Sequence, residues 1–454
     1  MKLLTAEQSM EMCVRCGRCR DVCPTLDITG READGPRGRV LMARSLLRGE
    51  IAVDEEIEHQ LNRCMLCSAC EDVCPVGVQV PEIVMAGKRK IQAEKQERGQ
   101  ERLWEKRLRN FVFERILPHQ KRLQFVGHLL WLYQKSGLQW LTRKLGILKL
   151  FPESMRQMEA VLPDIPSPSE RRPLPKFVQN KQGTTHGNET GAKTGRKRVA
   201  MFRGCIMDVM FRKTNLNSIH LLAESGFDVV TPDEQVCCGA LHNHNGKRET
   251  TIELAKKNIE VFEQLDVDYI VSNAGGCGAM LKEYAELFRD DPEWLERAKT
   301  FCSKVRDISE LIVQEGQLPA ASGRGERVTY QPSCHLQYVM KVKDAPQKIL
   351  QQVDQIEFVP LPESKLCCGS AGIYNLLQPE MANDVLDKKM TNVRKTQSDV
   401  IITANPGCLL QMKAGLYREG LTEQVQAMHI VDFLTESKSP ATDHSADAKT
   451  SSSA

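Results

Sequence analysis

Eight cysteines between residues 13 and 74 form two copies of one pattern, Cys13-x2-Cys16-x2-Cys19-x3-Cys23-Pro24 and Cys64-x2-Cys67-x2-Cys70-x3-Cys74-Pro75. No other feature limits the fold so tightly. Three thiolates at i, i+3 and i+6 wrap one face of a tight loop, and the fourth, followed by proline, points away from it. The remaining nine of 17 cysteines lie beyond residue 200. The first residues, MKLLTAEQSMEMC, meet Glu7 and Glu11 before an apolar leader can form, so a cytoplasmic chain is expected. In a reducing compartment this many cysteines point to metal or redox chemistry rather than to a disulfide framework.

The double spacing is that of two-cluster ferredoxins, in which the fourth cysteine of each run ligates the other run's cluster. By that rule Cys13, Cys16, Cys19 and Cys74 hold one [4Fe–4S] cluster, and Cys64, Cys67, Cys70 and Cys23 hold the second. Zinc needs only two cysteine pairs, which leaves the third cysteine and the trailing Cys-Pro of each copy unexplained. Two clusters sharing ligands across one small domain lie close together, as electron relay requires. Between the copies, apolar residues recur at helical spacing with few Gly or Pro, which predicts two helices, and another helix begins near Pro81. Residues 1–90 are thus expected to be an α-helical two-cluster domain.

Residues 81–160 carry 17 Lys or Arg against 8 Asp or Glu, with Trp104, Phe111, Phe113, Phe125, Trp131, Tyr133 and Trp140 interleaved. We read 91–161 as a basic amphipathic helical region. Its stretch from Phe125 to Phe151 reads as a helix that lies on an anionic membrane face or a partner, or else buries its aromatic stripe in a core. Nucleic-acid binding is not expected, since no binding module accompanies the charge and the whole chain is only +3. No run of about 18 apolar residues suits a membrane-spanning helix. Residues 162–197, rich in Pro, Gly, Ser, Thr and Asn, read as a flexible linker, and 436–454 as a disordered tail.

Beyond the linker the sequence repeats. RVAMFRGCIMDVM from residue 198 matches RVTYQPSCHLQYV from 327, VCCGALHNH matches LCCGSAGIY, and DYIVSNAGGCGAM matches DVIITANPGCLLQ, at offsets of 129 to 131. Within each half, short β-branched runs alternate with helical stretches, which predicts parallel strands with crossover helices over 198–316 and 317–435. The cysteines follow the strands, where open α/β sheets collect ligands. Cys205, Cys237, Cys238 and Cys277, and Cys334, Cys367, Cys368 and Cys408, are therefore candidates for further iron–sulfur or metal centres, for thiol–disulfide chemistry, or for structural burial. Cys302 has no counterpart and reads as a small buried hydrophobe. His242, His244 and His335 are candidates to donate to a quinone oxygen, ligate metal or relay a proton, or are polar loop residues. Gly275, Gly276 and Gly278 lack the context of a phosphate loop and are expected to let the backbone approach a centre closely. No residue is assigned a catalytic role, because neither a Ser/His/Asp array nor a flavin-binding fingerprint is present.

The paired cysteine motifs together with CCGALHNH, SNAGGCGAMLKEY, PSCHLQY, LCCGSAGIY and TANPGC resemble the iron–sulfur subunit of glycolate oxidase, over nearly the whole chain. The resemblance implies a non-flavin subunit working with FAD-binding subunits that oxidise glycolate to glyoxylate. Electrons would pass through two [4Fe–4S] clusters to an acceptor other than oxygen, in a quinone-linked chain at the cytoplasmic face of the inner membrane. Iron–sulfur subunits of lactate and glycerol-3-phosphate dehydrogenases, and a disulfide reductase subunit with noncubane clusters, share the CCG units. That last pattern ends in Cys-x2-Cys, whereas Met280 and Gln411 stand three residues after Cys277 and Cys408 here.

Overall fold

The computed structural model describes residues 4–99, 103–171, 173–181 and 197–437. At the N-terminus, helices Ala6–Glu11, Pro36–Leu47, Glu55–Asn62 and Val80–Glu97 surround an apolar core of Met10, Val40, Ala43, Leu46, Leu61, Ile83 and Val84. The two helices expected between the motifs are Pro36–Leu47 and Glu55–Asn62. Pro24 opens a third, Pro24–Thr29, at a position where its missing N–H costs nothing, and Gly30 closes it in the left-handed region at φ 65°.

The C-terminal part holds two sheets. The first contains β1 (Phe177–Val178), β2 (Arg198–Phe202), β3 (Asp228–Val230), β4 (Tyr269–Ser272) and β5 (Val305–Asp307) in the order β1-β3-β2-β4-β5. The second contains β6 (Arg327–Tyr330), β7 (Glu357–Phe358), β8 (Val400–Thr403) and β9 (Gln426–His429) in the order β7-β6-β8-β9. Within each repeat the four strands are parallel and run second, first, third, fourth across the sheet. Their centres are buried on both faces, which is why VAMF and VIIT are continuous apolar runs rather than alternating ones. In such an order the chain reverses direction across the sheet between the first and third strands, and that crevice is where ligands gather.

Three expectations are corrected. The segment read as a flexible linker is tied down in its described part. Ile165 and Leu174 are buried, and β1 adds antiparallel to β3 at the sheet edge. Residues 182–196 and the tail from 438 lie outside the described residues. The stretch from Phe125 to Phe151 is three short helices, Gln120–Lys135, Leu138–Lys144 and Ile147–Leu150, because Gly137 and Gly146 turn left-handed between them. Gly275, Gly276 and Gly278 serve the seam between the repeats instead of a centre. A Cβ on Gly275 would sit 2.7 Å from Ser333 Oγ, one on Gly278 2.5 Å from Met340 sulfur, and the Gly276 N–H donates to Asn405 Oδ1 at 3.0 Å.

The basic region lies across both repeats. Phe113 is buried edge-on against His242, whose Nε2 meets the Phe113 carbonyl at 2.7 Å, and helix Glu153–Ala160 packs on Pro406–Arg418. The aromatic stripe as a whole is not core, for Trp104, Phe111, Phe125 and Trp140 are each more than half exposed. No helix among the described residues is long and apolar enough to cross a membrane.

Candidate iron–sulfur and cysteine sites

The backbone of both N-terminal motifs bends through left-handed residues at matching positions, Arg15 and Gly17 in the first and Leu66 and Ser68 in the second. Three of the four are not glycine, at roughly 1–2 kcal/mol each. Such strain persists where the surroundings over-determine it, as they do at ligand-binding loops. The bends gather the cysteines around two cavities, with Cys16 at the exposed side of the first. Cys13, Cys16, Cys19 and Cys74 line one cavity, walled by Val14, Val40, Val76 and Val78, and Cys74 Sγ accepts the Val78 N–H at 3.3 Å. Cys23, Cys64, Cys67 and Cys70 line a second. Cys70 borders both. Burial together with the neighbouring Cys67, Cys64, Cys23 and Cys19 pushes the Cys70 thiol well up, so loading with iron must displace its proton.

A buried cation shows what the second cavity suits. Arg39 is 2% exposed and lines it, donating to the Gln60 carbonyl at 3.1 Å and Thr25 Oγ1 at 3.0 Å, with Nη1 4.0 Å from Cys23 Sγ. Among the described residues no carboxylate pairs with it, and Nη2 has no hydrogen-bond partner. A buried guanidinium without a counter-charge is costly unless an anion is present, and a thiolate-ligated cluster is one. The donor set and the orphaned N–H therefore fit a cluster.

Each repeat also gathers its four cysteines, at the crevice between its first and third strands. In the first, Cys205 Sγ lies 3.5 Å from Cys237 Sγ, Cys238 interacts with Cys237 and Cys277, and a Cβ on Gly204 would sit 3.6 Å from Cys277 Sγ. In the second, Cys334 interacts with Cys367, and Cys368 with Cys367 and Cys408. The glycine of each CCG is required. Gly239 and Gly369 have φ 85° and 93°, donate N–H to Cys237 and Cys367, and press on Thr251 and on the Ala382 carbonyl. Met280 and Gln411, at the place of a fifth cysteine, are buried, and Gln411 Oε1 accepts from Asn375. Cys302 is half-buried and donates to the Leu281 carbonyl at 3.2 Å.

The repeats differ in charge and in neighbours. Lys389 is buried beside the second cysteine set, donating to the Glu363 carbonyl at 3.0 Å. Burial brings it down to about 8, against the pull of Cys368 and Cys367. The matching place in the first repeat is neutral Asn258, bonded to the Cys237 carbonyl and the Tyr284 hydroxyl. Cys367, Cys334 and Cys67 share one apolar cluster with Met65 and Tyr374, so the second N-terminal motif abuts the second repeat's cysteines. Lys341 and Lys343 pair with Asp72, Lys388 with Asp27, and Tyr374 donates to the Arg63 carbonyl across that contact. His244 stacks near His335, and burial together with His335 and Lys88 pushes it down to about 3. His335 Nδ1 lies 3.4 Å from Cys334 Sγ. Sequence reasoning missed Arg39 and Lys389. Arg39 had one signal, an arginine in helical step with buried Ala43 and Leu46.

Comparison with known proteins matches residues 9–78 to a 4Fe-4S dicluster domain, 199–282 and 328–413 to the cysteine-rich domain, and 104–162 to the linker region of the glycolate oxidase iron-sulfur subunit. A "Probable glycolate oxidase iron-sulfur subunit" of Bacillus subtilis (strain 168) is 44% identical over 93% of both chains. The chain belongs to the glycolate oxidase iron–sulfur subunit family. The "Glycolate oxidase iron-sulfur subunit" of Escherichia coli (strain K12) is 28% identical over 90% of both chains. "Lactate utilization protein A" of Exiguobacterium sp. is 33% identical over 52% of this chain and 97% of its own. Membership in the glycolate oxidase iron–sulfur subunit family makes [4Fe–4S] clusters the chain's cofactors.

Proposed function

We propose that this chain is the electron-transfer subunit of a glycolate-oxidising complex, taking electrons from FAD-binding partner subunits and passing them to a quinone-type acceptor. Cys13, Cys16, Cys19 and Cys74 would hold one cluster, and Cys64, Cys67, Cys70 and Cys23 the other. The observation that carries the reading is the pair of cysteine-lined cavities sharing Cys70, the second abutting the cysteines of a repeat. The clusters supply one-electron redox chemistry when bound. The chain's own part is to keep their surroundings dry, set their charge through Arg39, and hold the two sites in contact. The four cysteines of the second repeat, beside Lys389, are the better placed of the two sets for a further centre.

The exposed Phe125, Leu129 and Leu132 on helix Gln120–Lys135, flanked by Lys121, Arg122 and Lys135, form the face expected to rest on an anionic membrane. Co-sedimentation with phosphatidylglycerol vesicles but not phosphatidylcholine ones supports that contact, and equal recovery from both rejects it.

The relay is tested with Cys16→Ser in the complex isolated anaerobically with its partners. Glycolate-dependent reduction of the terminal acceptor should disappear while the partner subunits still co-purify. Unchanged turnover rejects the relay.

A further inference from the structure

Where the N-terminal domain meets both repeats, the chain encloses a cavity of about 370 Å³, within the roughly 300–1,000 Å³ of small-molecule sites. It adjoins the second cysteine cavity, for Cys64 lines both. Ile91, Tyr374 and Leu377 give it apolar walls, and its polar side holds Lys88 and His244 together with Arg109 and the mutually paired Lys95 and Glu58. The Lys88 ammonium makes no ion pair or hydrogen bond among the described residues. It lies close enough to Cys64 and His244 to interact with both. Through His335 the same polar side reaches Cys334 of the second repeat.

An unpaired donor cation beside an imidazole, facing apolar walls, suits a flat apolar ring whose oxygen accepts hydrogen bonds. A carboxylate or phosphate ligand would leave Ile91, Tyr374 and Leu377 without purpose. We propose that this junction cavity binds the ring of a quinone, held between Ile91, Tyr374 and Leu377 with a carbonyl oxygen turned to Lys88 and His244. The proposal rests on the relay reading above and assigns its exit. The balance closes: glycolate gives up two electrons and two protons in becoming glyoxylate, and the quinone takes up two electrons and two protons in becoming hydroquinone. The placement also explains why the cavity is assembled from three units of the chain. A ring there touches the loop of Cys64 on one side and the CCG loops on the others.

The test uses the intact complex and duroquinone, whose fully substituted ring does not add to thiols. Binding is measured by equilibrium dialysis and reduction by absorbance. Leu377 is 59% exposed at the mouth, so Leu377→Trp narrows the cavity without disturbing a core. Leu377→Trp and Lys88→Met should each weaken duroquinone binding at least tenfold, with cluster spectra and iron content retained. Undiminished binding by both variants overturns the cavity assignment while leaving the relay standing if duroquinone is still reduced. An unsubstituted complex that reduces a dye with glycolate yet neither binds nor reduces duroquinone overturns the quinone exit and the cavity with it. Loss of dye reduction in Cys16→Ser with duroquinone binding kept separates the relay from the site.

Discussion

Replacing Arg39 by glutamine removes a buried positive charge next to one cluster site while keeping a side chain that donates hydrogen bonds. Its Nη1 stands 4.0 Å from Cys23 Sγ, and among the described residues no carboxylate neutralises it. At an effective dielectric of 20, two unit charges at that distance interact by about 4 kcal/mol. An electron added to a cluster spreads over all of it, and its centre lies farther from the guanidinium than the ligand sulfur does, so about half of that value, roughly 2 kcal/mol, is the working figure. For a one-electron couple this is about 90 mV. The sign follows from the charge: a cation favours the reduced, more negative cluster, so removing it makes reduction harder. Arg39→Gln should therefore lower the midpoint potential of one of the two clusters by about 90 mV and move the other far less. Arg39→Lys, which restores the charge without the fork of donors, should recover most of the shift. The assay is a redox titration of the intact complex followed by electron paramagnetic resonance, with iron content as the loading control. Equal movement of both clusters, or no movement beyond about 20 mV, refutes the assignment of Arg39 to the second site.

Gly420 has φ 68° with nothing near its Cβ position, so Gly420→Ala should cost only the conformational term, about 1 kcal/mol. Gly369→Ala adds a Cβ 2.5 Å from the Ala382 carbonyl and should cost about 1–3 kcal/mol more, read as a lower urea midpoint; equal midpoints would show that the CCG turn is not tightly packed. Asp307 caps helix Ile308–Glu315 by accepting the Ser309 and Glu310 N–H groups, and burial pushes its carboxyl up to about 7 against them. Its folded state thus holds a proton that the unfolded chain releases near pH 4, and stability drains as pH rises from about 4 to 7. Asp307→Asn keeps the cap and should raise the urea midpoint at pH 8 but not at pH 4, and an equal effect at both pH values would contradict the burial argument.

The parts of this molecule legible in its sequence are those written as spacing. Cysteines at fixed intervals fix loop geometry directly, and the runs VAMF and YIVS declare buried parallel strands because both faces must be apolar. What escaped depends on partners far away in the chain. β7 is two residues long and owes its existence to β6, and β1 is recruited from a Pro-rich stretch by the open edge of β3. Arg39 and Lys389 are two among 62 basic residues, and only their burial next to thiols distinguishes them. The glycines around Cys277 looked like a device for approaching a centre, but the surface they approach belongs to the other repeat.

The duplication itself explains the division of labour between the halves. Both repeats have the same strand order and the same CCG turn, so each inherits a cysteine-lined crevice. The N-terminal domain meets the second through cysteines, Cys67 against Cys334 and Cys367, and among the described residues it is the second that carries a buried ammonium beside its thiols. The first carries Asn258 at that place, and His242 and Lys247 fasten it to Phe113, Asn110 and Glu114 of the basic layer. A cation lowers the cost of accumulating negative charge in a buried thiolate site, whereas an amide hydrogen-bonded to backbone and tyrosine holds a neutral one. The two crevices are therefore alike in ancestry and unlike in electrostatics. That difference falls on the half whose cysteines share an apolar cluster with Cys67, whereas the first half meets the N-terminal domain through His244 and Gly246, away from its own cysteines.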